Sequence, residues 1–95
     1  MSEEEYMEPR LTRIMLDALK PREISITDLA LALGEIDGIE SVDISVTEVD
    51  AKTETLKINL EGSEIEMESV EEVMNEYSTA IRSIDGVSVR KVKRQ

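Results

Sequence analysis

The sequence predicts an α+β sandwich, in which a four-stranded antiparallel sheet carries two helices on one face. Three observations lead to this class. Segments with an apolar residue at every second position are typical of strands, and segments with a helical repeat separate them. Two of the strand segments are joined by only four residues, 50–53, which is enough for an antiparallel hairpin but not for a crossover. The motif Ile-Asp-Gly followed by Ile or Val occurs twice, at 36–39 and 84–87.

The first strand is predicted over residues 11–19, where the apolar positions alternate. The side chains expected to face the helices are Ile14, Leu16 and Ala18. Pro21 ends the strand because proline has no backbone N–H to donate to a neighbouring strand. The ten residues before the strand contain four glutamates and show no periodicity. Residues 1–10 are therefore predicted to be an acidic flexible tail, and residues 11–93 a single domain.

The first helix is predicted over residues 28–36, with Thr27 as its N-cap and Gly38 as the residue that ends the segment. The side chains on its expected core face are Leu29, Leu33 and Ile36.

The hairpin strands are predicted over 41–49 and 54–61. Their expected inward side chains are Val42, Ile44 and Val46 in the first strand and Leu56, Ile58 and Leu60 in the second.

The second helix is predicted to begin at a capping box formed by Ser69 and Glu72. Its expected apolar stripe consists of Val70, Val73, Met74, Tyr77, Ile81 and Ile84. Gly86 is expected to end this helix, and residues 87–92 form the last predicted strand. Strand, helix, strand, strand, helix and strand in this order predict a ferredoxin-like sandwich, with the first and third strands in the centre of the sheet.

Composition excludes several classes of function. The 95 residues carry a formal net charge of −11 and contain no cysteine, histidine, tryptophan or phenylalanine. Disulfides, the usual zinc, haem and iron–sulfur ligand sets, and catalysis by a serine or cysteine paired with histidine are therefore excluded. The negative charge and the lack of strand aromatics argue against nucleic-acid binding. No apolar run is long enough to span a membrane, and no signal peptide is visible. We expect a protein that is not an enzyme.

Two long motifs resemble a known family. Residues 13–21 read RIMLDALKP, and residues 47–58 read TEVDAKTETLKI. These strings, together with Arg82-Ser-Ile-Asp85, resemble the archaeal domain of unknown function 211 family. The resemblance implies a ferredoxin-like fold, a cytoplasmic archaeal protein and assembly into cyclic homo-oligomers. It implies no activity, and no catalytic residue can be carried over. The acidic tail and the basic end, Arg90-Lys-Val-Lys-Arg94, depart from the family pattern.

Self-association is the first functional hypothesis. The first helix is apolar on two sides, since Leu31 lies opposite the core stripe, and such a helix usually has a second partner. The candidate oligomer-interface residues are Leu11, Met15, Leu31 and Val49. The alternative for Leu31 is a local contact with Ile26 in a hydrophobic staple.

Two further sites are candidates. Glu48, Asp50 and Glu54 flank the hairpin turn and could hold calcium or magnesium, which prefer oxygen ligands. The alternative is a solvated turn paired to nearby lysines.

The sheet also carries a polar row that could bind a small anion or metabolite: Arg13, Asp17 and Lys57, with Asn59 and Arg90. The alternative there is a cross-strand pair between Asp17 and Lys57.

Charge is also segregated along the chain. Seven glutamates lie between residues 61 and 76 with no basic residue among them, whereas four basic residues lie in the last six positions. Together these features predict a noncatalytic homo-oligomeric module with a metabolite or calcium as candidate ligand at or near subunit interfaces. The alternatives are a divalent-metal-dependent enzyme that uses carboxylates, and a regulatory partner of another protein.

Overall fold

The computed structural model of the chain describes residues 7–93. Its elements are β1 (Met7–Pro21), α1 (Ile26–Gly34), β2 (Ile39–Val49), β3 (Thr53–Gly62), α2 (Met67–Glu76) and β4 (Ala80–Lys93). The strands form one sheet in the order β2-β3-β1-β4, and every neighbouring pair is antiparallel. The predicted ferredoxin-like fold is confirmed, with the first and third strands in the centre.

The hydrophobic core lies between the central strands and the helices. Its fully buried side chains are Ile14, Leu16 and Ala18 from β1, Leu56, Ile58 and Leu60 from β3, Leu29 and Leu33 from α1, and Val70 and Met74 from α2. Burying each large side chain of this kind contributes about 1.5–3 kcal/mol. The predicted inward faces of β1 and β3 are confirmed. On β2, Val42 and Ile44 are half-buried and Val46 is exposed, because this strand lies at the edge of the sheet.

Helix α1 begins earlier than the sequence predicted. Ser25, and not Thr27, is the N-cap, and its hydroxyl accepts a hydrogen bond from the Asp28 N–H at 3.2 Å. The preceding turn is tight, since the Ile24 N–H donates to the Pro21 carbonyl at 3.2 Å, and this turn brings the chain into the helix sooner.

After the helix, Gly38 has φ +93, and a Cβ there would collide with the Glu64 carbonyl. Only glycine fits this position.

Helix α2 is shorter than predicted and has a different start. Glu66 is the N-cap, so Ser69 lies inside the first turn and the predicted capping box is wrong. The helix ends at Glu76, followed by Ser78 in the left-handed region at φ +54. The Thr79 N–H then donates to the Met74 carbonyl at 2.9 Å, and this hydrogen bond satisfies a carbonyl of the last turn of α2. The residues predicted as its last two turns belong to β4.

Two β-bulges explain this error. Ile81, Ile84 and Val87 lie opposite Ala18, Leu16 and Ile14, so β4 residues three apart pair with β1 residues two apart. An extra residue in β4 between each pair keeps all three side chains on one face. The spacing of three resembles a helical stripe, although it arises in a strand. The 84–87 motif consequently lies inside β4, and only the 36–39 motif leaves a helix.

Strands β1 and β4 extend beyond the helices. The structure places Met7–Arg10 in β1, paired with β4, so the tail prediction is wrong for these four residues; residues 1–6 lie outside the described part. The principal extents are 60 × 22 × 17 Å, and the radius of gyration is 15.1 Å, whereas a compact chain of this length has a radius of about 12 Å. Neither described helix is long and apolar enough to cross a membrane.

Candidate functional site: the two open edges of the sheet

Within residues 7–93, the outer edge of β4 has no neighbouring strand and carries exposed apolar side chains. In the sheet order, β4 contacts only β1, so its other edge presents free backbone N–H and carbonyl groups. Three large side chains on the strand are more than half exposed: Ile84 (52%), Val87 (57%) and Val89 (58%). Ile84 and Val87 lie opposite the fully buried Leu16 and Ile14, and therefore on the helix face of the sheet, but α2 leaves them uncovered.

The outer edge of β2 is the second edge without a neighbouring strand in the described part of the chain. Val46 and Val49 are exposed there. Beside this strand, a groove of about 390 Å³ runs between α1 and β2. The residues that line it are Ala30, Leu31, Gly34, Glu35, Glu40, Ser41 and Val42. The groove therefore combines apolar surface with two carboxylates at the edge of the sheet.

Leu31 is the most exposed large apolar side chain in the described residues, at 66%. Ile26 cannot be the residue before the cap that a hydrophobic staple requires, because the N-cap is Ser25 and Ile26 is the first residue of the helix. The hydrophobic-staple alternative is therefore wrong. The sequence-based inference that α1 presents a second apolar side is confirmed by this exposure.

The two edge strands carry opposite charge. Strand β4 has four basic side chains and one acidic side chain, a net charge of +3. The basic residues are Arg82, Arg90, Lys91 and Lys93. Strand β2 has three acidic side chains and no basic one, a net charge of −3. Its acidic residues are Glu40, Asp43 and Glu48. Opposite charges attract when two such surfaces approach, most strongly at low salt.

The structure does not bring all predicted interface residues together. Val49 and Leu31 are exposed, as expected. Leu11 instead packs against the core, because a bulge in β1 between Leu11 and Arg13 turns it toward the helix face. Met15 is half-buried on the other face, where its sulfur accepts a hydrogen bond from Arg13 Nη2 at 2.9 Å. Leu11 therefore does not lie with Met15 on the sheet face that the helices leave uncovered.

The predicted metal-binding carboxylates are separated in the structure. Across residues 7–93, no group of three or more acidic side chains is placed to hold a metal ion. Glu48 and Asp50 are exposed, whereas Glu54 Oε1 lies 2.8 Å from Lys20 Nζ. The turn is closed by the Asp50 N–H, which donates to the Thr53 carbonyl at 2.8 Å. Within one copy, Glu48, Asp50 and Glu54 therefore do not form a cation site.

Lys20 is a buried cation that the sequence analysis missed. It is only 1% exposed, and besides its ion pair with Glu54 its ammonium donates to the Pro21 carbonyl at 2.9 Å and to the Ile24 carbonyl. These bonds connect the end of β1, the turn before α1 and the start of β3. The signal was present in the sequence, because position 20 continues the series 14, 16, 18 of helix-facing residues.

The predicted polar row is divided between two hollows. Asp17 lies directly opposite Lys57, but they form no ion pair in the part of the chain that the structure describes. Lys57 and Asn59 line a hollow of about 200 Å³, which is smaller than the roughly 300–1,000 Å³ of typical ligand pockets. Arg13 and Arg90 line a separate, open groove of about 570 Å³, and Arg13 Nε donates to Asn59 at 3.4 Å. Arg13, Asp17 and Lys57 thus share no single cavity.

A groove between the two helices is a further surface that sequence reasoning did not identify. It has a volume of about 580 Å³ and is lined by apolar and acidic side chains. Its lining residues are Asp28, Leu31, Ala32, Glu35, Ile36, Val73, Glu76 and Tyr77. The groove could not be predicted from the sequence, because its position depends on how closely α1 and α2 approach each other.

Comparison with known proteins gives one family and one relative. The family model DUF211, described as Uncharacterized ArCR, matches residues 12–92. Uncharacterized protein MJ0319 from Methanocaldococcus jannaschii is 40% identical over 77 residues, which cover 81% of this chain and 79% of the relative. The chain therefore belongs to the archaeal DUF211 family, whose function is uncharacterised.

Proposed function

We propose that this DUF211 member is a noncatalytic module that assembles with copies of itself into a cyclic homo-oligomer in the archaeal cytoplasm. One observation carries the proposal. Seven large apolar side chains are exposed in the described residues, and five of them lie on the two edge strands. These five are Val46 and Val49 on β2, and Ile84, Val87 and Val89 on β4.

Physical reasoning favours a partner for these edges. Proteins that stay monomeric rarely expose contiguous apolar patches, and they usually protect an open strand edge by shortening it or covering it. Here β4 has 14 residues and β2 has 11. Each exposed valine or isoleucine that becomes buried contributes at most about 1.5–3 kcal/mol. Several such contacts per copy supply enough free energy for stable assembly.

Native mass spectrometry of the unmodified chain tests this proposal. We expect one discrete multiple of the 10.7 kDa chain, which stays intact in EDTA because apolar contacts and not a metal ion hold the copies together. A 10.7 kDa monomer across all protein concentrations would overturn the proposal.

An EDTA arm with calcium added back distinguishes the metal hypothesis. An oligomer that dissociates in EDTA and reforms with calcium would overturn assembly through apolar edges and would favour carboxylates of neighbouring copies, with Glu48 and Asp50 the first to mutate. Magnesium added in place of calcium provides the matched control, since it demands stricter octahedral geometry.

A further inference from the structure

We infer that copies of the chain join edge to edge, with β4 of one copy adding as a strand beside β2 of the next. This inference rests on the proposed self-assembly and assigns its interface and its orientation. The partner that fits each edge is the opposite edge of a second copy. Such a contact is heterologous, since it uses two different surfaces, and its repetition closes a ring when the rotation between copies allows.

The strand directions favour this arrangement. Because every neighbouring pair in the sheet is antiparallel, β2 runs parallel to β1, and β4 runs in the opposite direction to both. Two copies in the same orientation therefore place β4 antiparallel to the neighbouring β2. The antiparallel alternation then continues from one copy into the next, and the helices of both copies stay on the same face.

Charge selects this pairing over the two symmetric alternatives. Pairing β4 with β4 would bring together two strands of net charge +3, and pairing β2 with β2 would bring together two strands of net charge −3. Like charges across an interface disfavour association, whereas complementary potentials favour it. Only the contact between β4 and β2 joins opposite charges.

The bulges and the apolar side chains set a register. Both edges have a stretch without an extra residue, Ser41–Val46 on β2 and Gly86–Lys93 on β4. Placing Val89 opposite Val42 also places Val87 opposite Ile44, and all four side chains lie on the helix face. Directly opposite residues of an antiparallel pair share a face, so these apolar side chains meet.

The groove beside α1 fits the same register. It is lined by Leu31 and Val42, together with the carboxylates of Glu35 and Glu40. In the proposed register Val89 enters beside Leu31 and Val42. Lys91 comes next to Glu40, the extra residue of the β2 bulge that precedes Ser41. An apolar side chain thus meets the apolar part of the groove, and a cation meets its carboxylates. This explains why α1 exposes a leucine next to the edge of the sheet.

Cysteine crosslinking tests the interface directly, because the chain contains no cysteine of its own. Directly opposite residues of an antiparallel pair have Cα atoms about 4.5–5.5 Å apart, within the range of a disulfide. We expect the double variant V42C/V89C to form a ladder of covalent multimers under mild oxidation. Each single variant should form none, since its cysteine then faces no other cysteine. Crosslinking of V89C alone would overturn the inference in favour of a β4–β4 contact.

Charge reversal provides a test that does not depend on the register. We expect R90E/K91E on β4, and separately E40K/D43K on β2, to weaken self-assembly by about a hundredfold. Mixing the two variants should restore assembly, because each reversed edge then meets an oppositely charged edge. The matched control for E40K/D43K is E71K/E72K, which makes the same change of charge on the exposed face of α2 and should leave assembly intact.

The outcomes separate the two proposals. If the unmodified chain is a monomer, both the proposed function and the edge contact fail. If it is an oligomer that the charge reversals leave unchanged, and V42C/V89C forms no ladder, the copies assemble through another surface and only the edge contact fails. Dissociation by each reversal with recovery on mixing supports both.

Discussion

The central and edge strands of this sheet both place apolar side chains on the helix face but have different surroundings. On β1, the helix-facing Ile14 and Leu16 are almost fully buried, whereas their neighbours on β4, Val87 and Ile84, are more than half exposed. The helices have 9 and 10 residues and are each about 15 Å long, whereas the 15 residues of β1 extend about 50 Å. The short helices cover the central part of the sheet and leave these side chains of β4 exposed.

A matched pair of truncations tests this contrast most strongly. Ile14→Ala should lower the free energy of unfolding by about 2–5 kcal/mol, because it leaves a cavity among fully buried side chains. Val87→Ala, directly opposite in the sheet, should change the stability of the unassembled chain by less than about 1 kcal/mol. Denaturant unfolding at a protein concentration below assembly measures both. Equal losses would mean that β4 is covered in the single chain.

The two glycines of the repeated motif allow a second comparison. Gly38→Ala should cost about 2 kcal/mol or more, because residue 38 has a positive φ and its Cβ would collide with a carbonyl. Gly86→Ala should cost less than about 1 kcal/mol, since the nearest atom to its Cβ is the flexible Met15 sulfur at 3.3 Å. Thermal unfolding compares them. A large loss for Gly86→Ala would contradict the placement of this glycine in a strand.

The start of α1 gives the smallest expected effect. Ser25→Ala should lower the free energy of unfolding by about 1 kcal/mol, because it removes the hydroxyl that caps the helix. Thr27→Ala should change it by less than about 0.5 kcal/mol. The same denaturant assay resolves the difference, and the reverse order would place the N-cap at Thr27.

The sequence was sufficient to predict the fold class, the strand order and the inward faces of the central strands, since burial on one side imposes strict alternation. The sequence led to a wrong element in β4, where bulges change the spacing of helix-facing residues from two to three. Ile81 and Ile84 read as a continuation of a helical stripe, because the extra residue between them in β4 gives a spacing of three. A bulge depends on pairing with β1 and has no distinct local signal.

The candidate site was predictable only in part. Exposure of Leu31 followed from the helical repeat of α1. The basic character of the last strand was visible in the sequence, because Arg90, Lys91 and Lys93 carry the net charge of β4 and residues 80–86 add none. This basic end was contrasted with the glutamates of residues 61–76 and not with β2. The carboxylates of the hairpin were grouped by their closeness in sequence, but the structure pairs Glu54 with Lys20 from another strand.

Hydrogen–deuterium exchange at two protein concentrations tests the central claim most directly, because it compares the same two regions. Amides of β1 and β3 should be protected at both concentrations, since they are paired within the sheet. The outward amides of β2 and β4 should exchange rapidly when the chain is dilute and become protected together when it assembles. Rapid exchange at both edges in a sample shown to be oligomeric would contradict the claim that these edges join the copies.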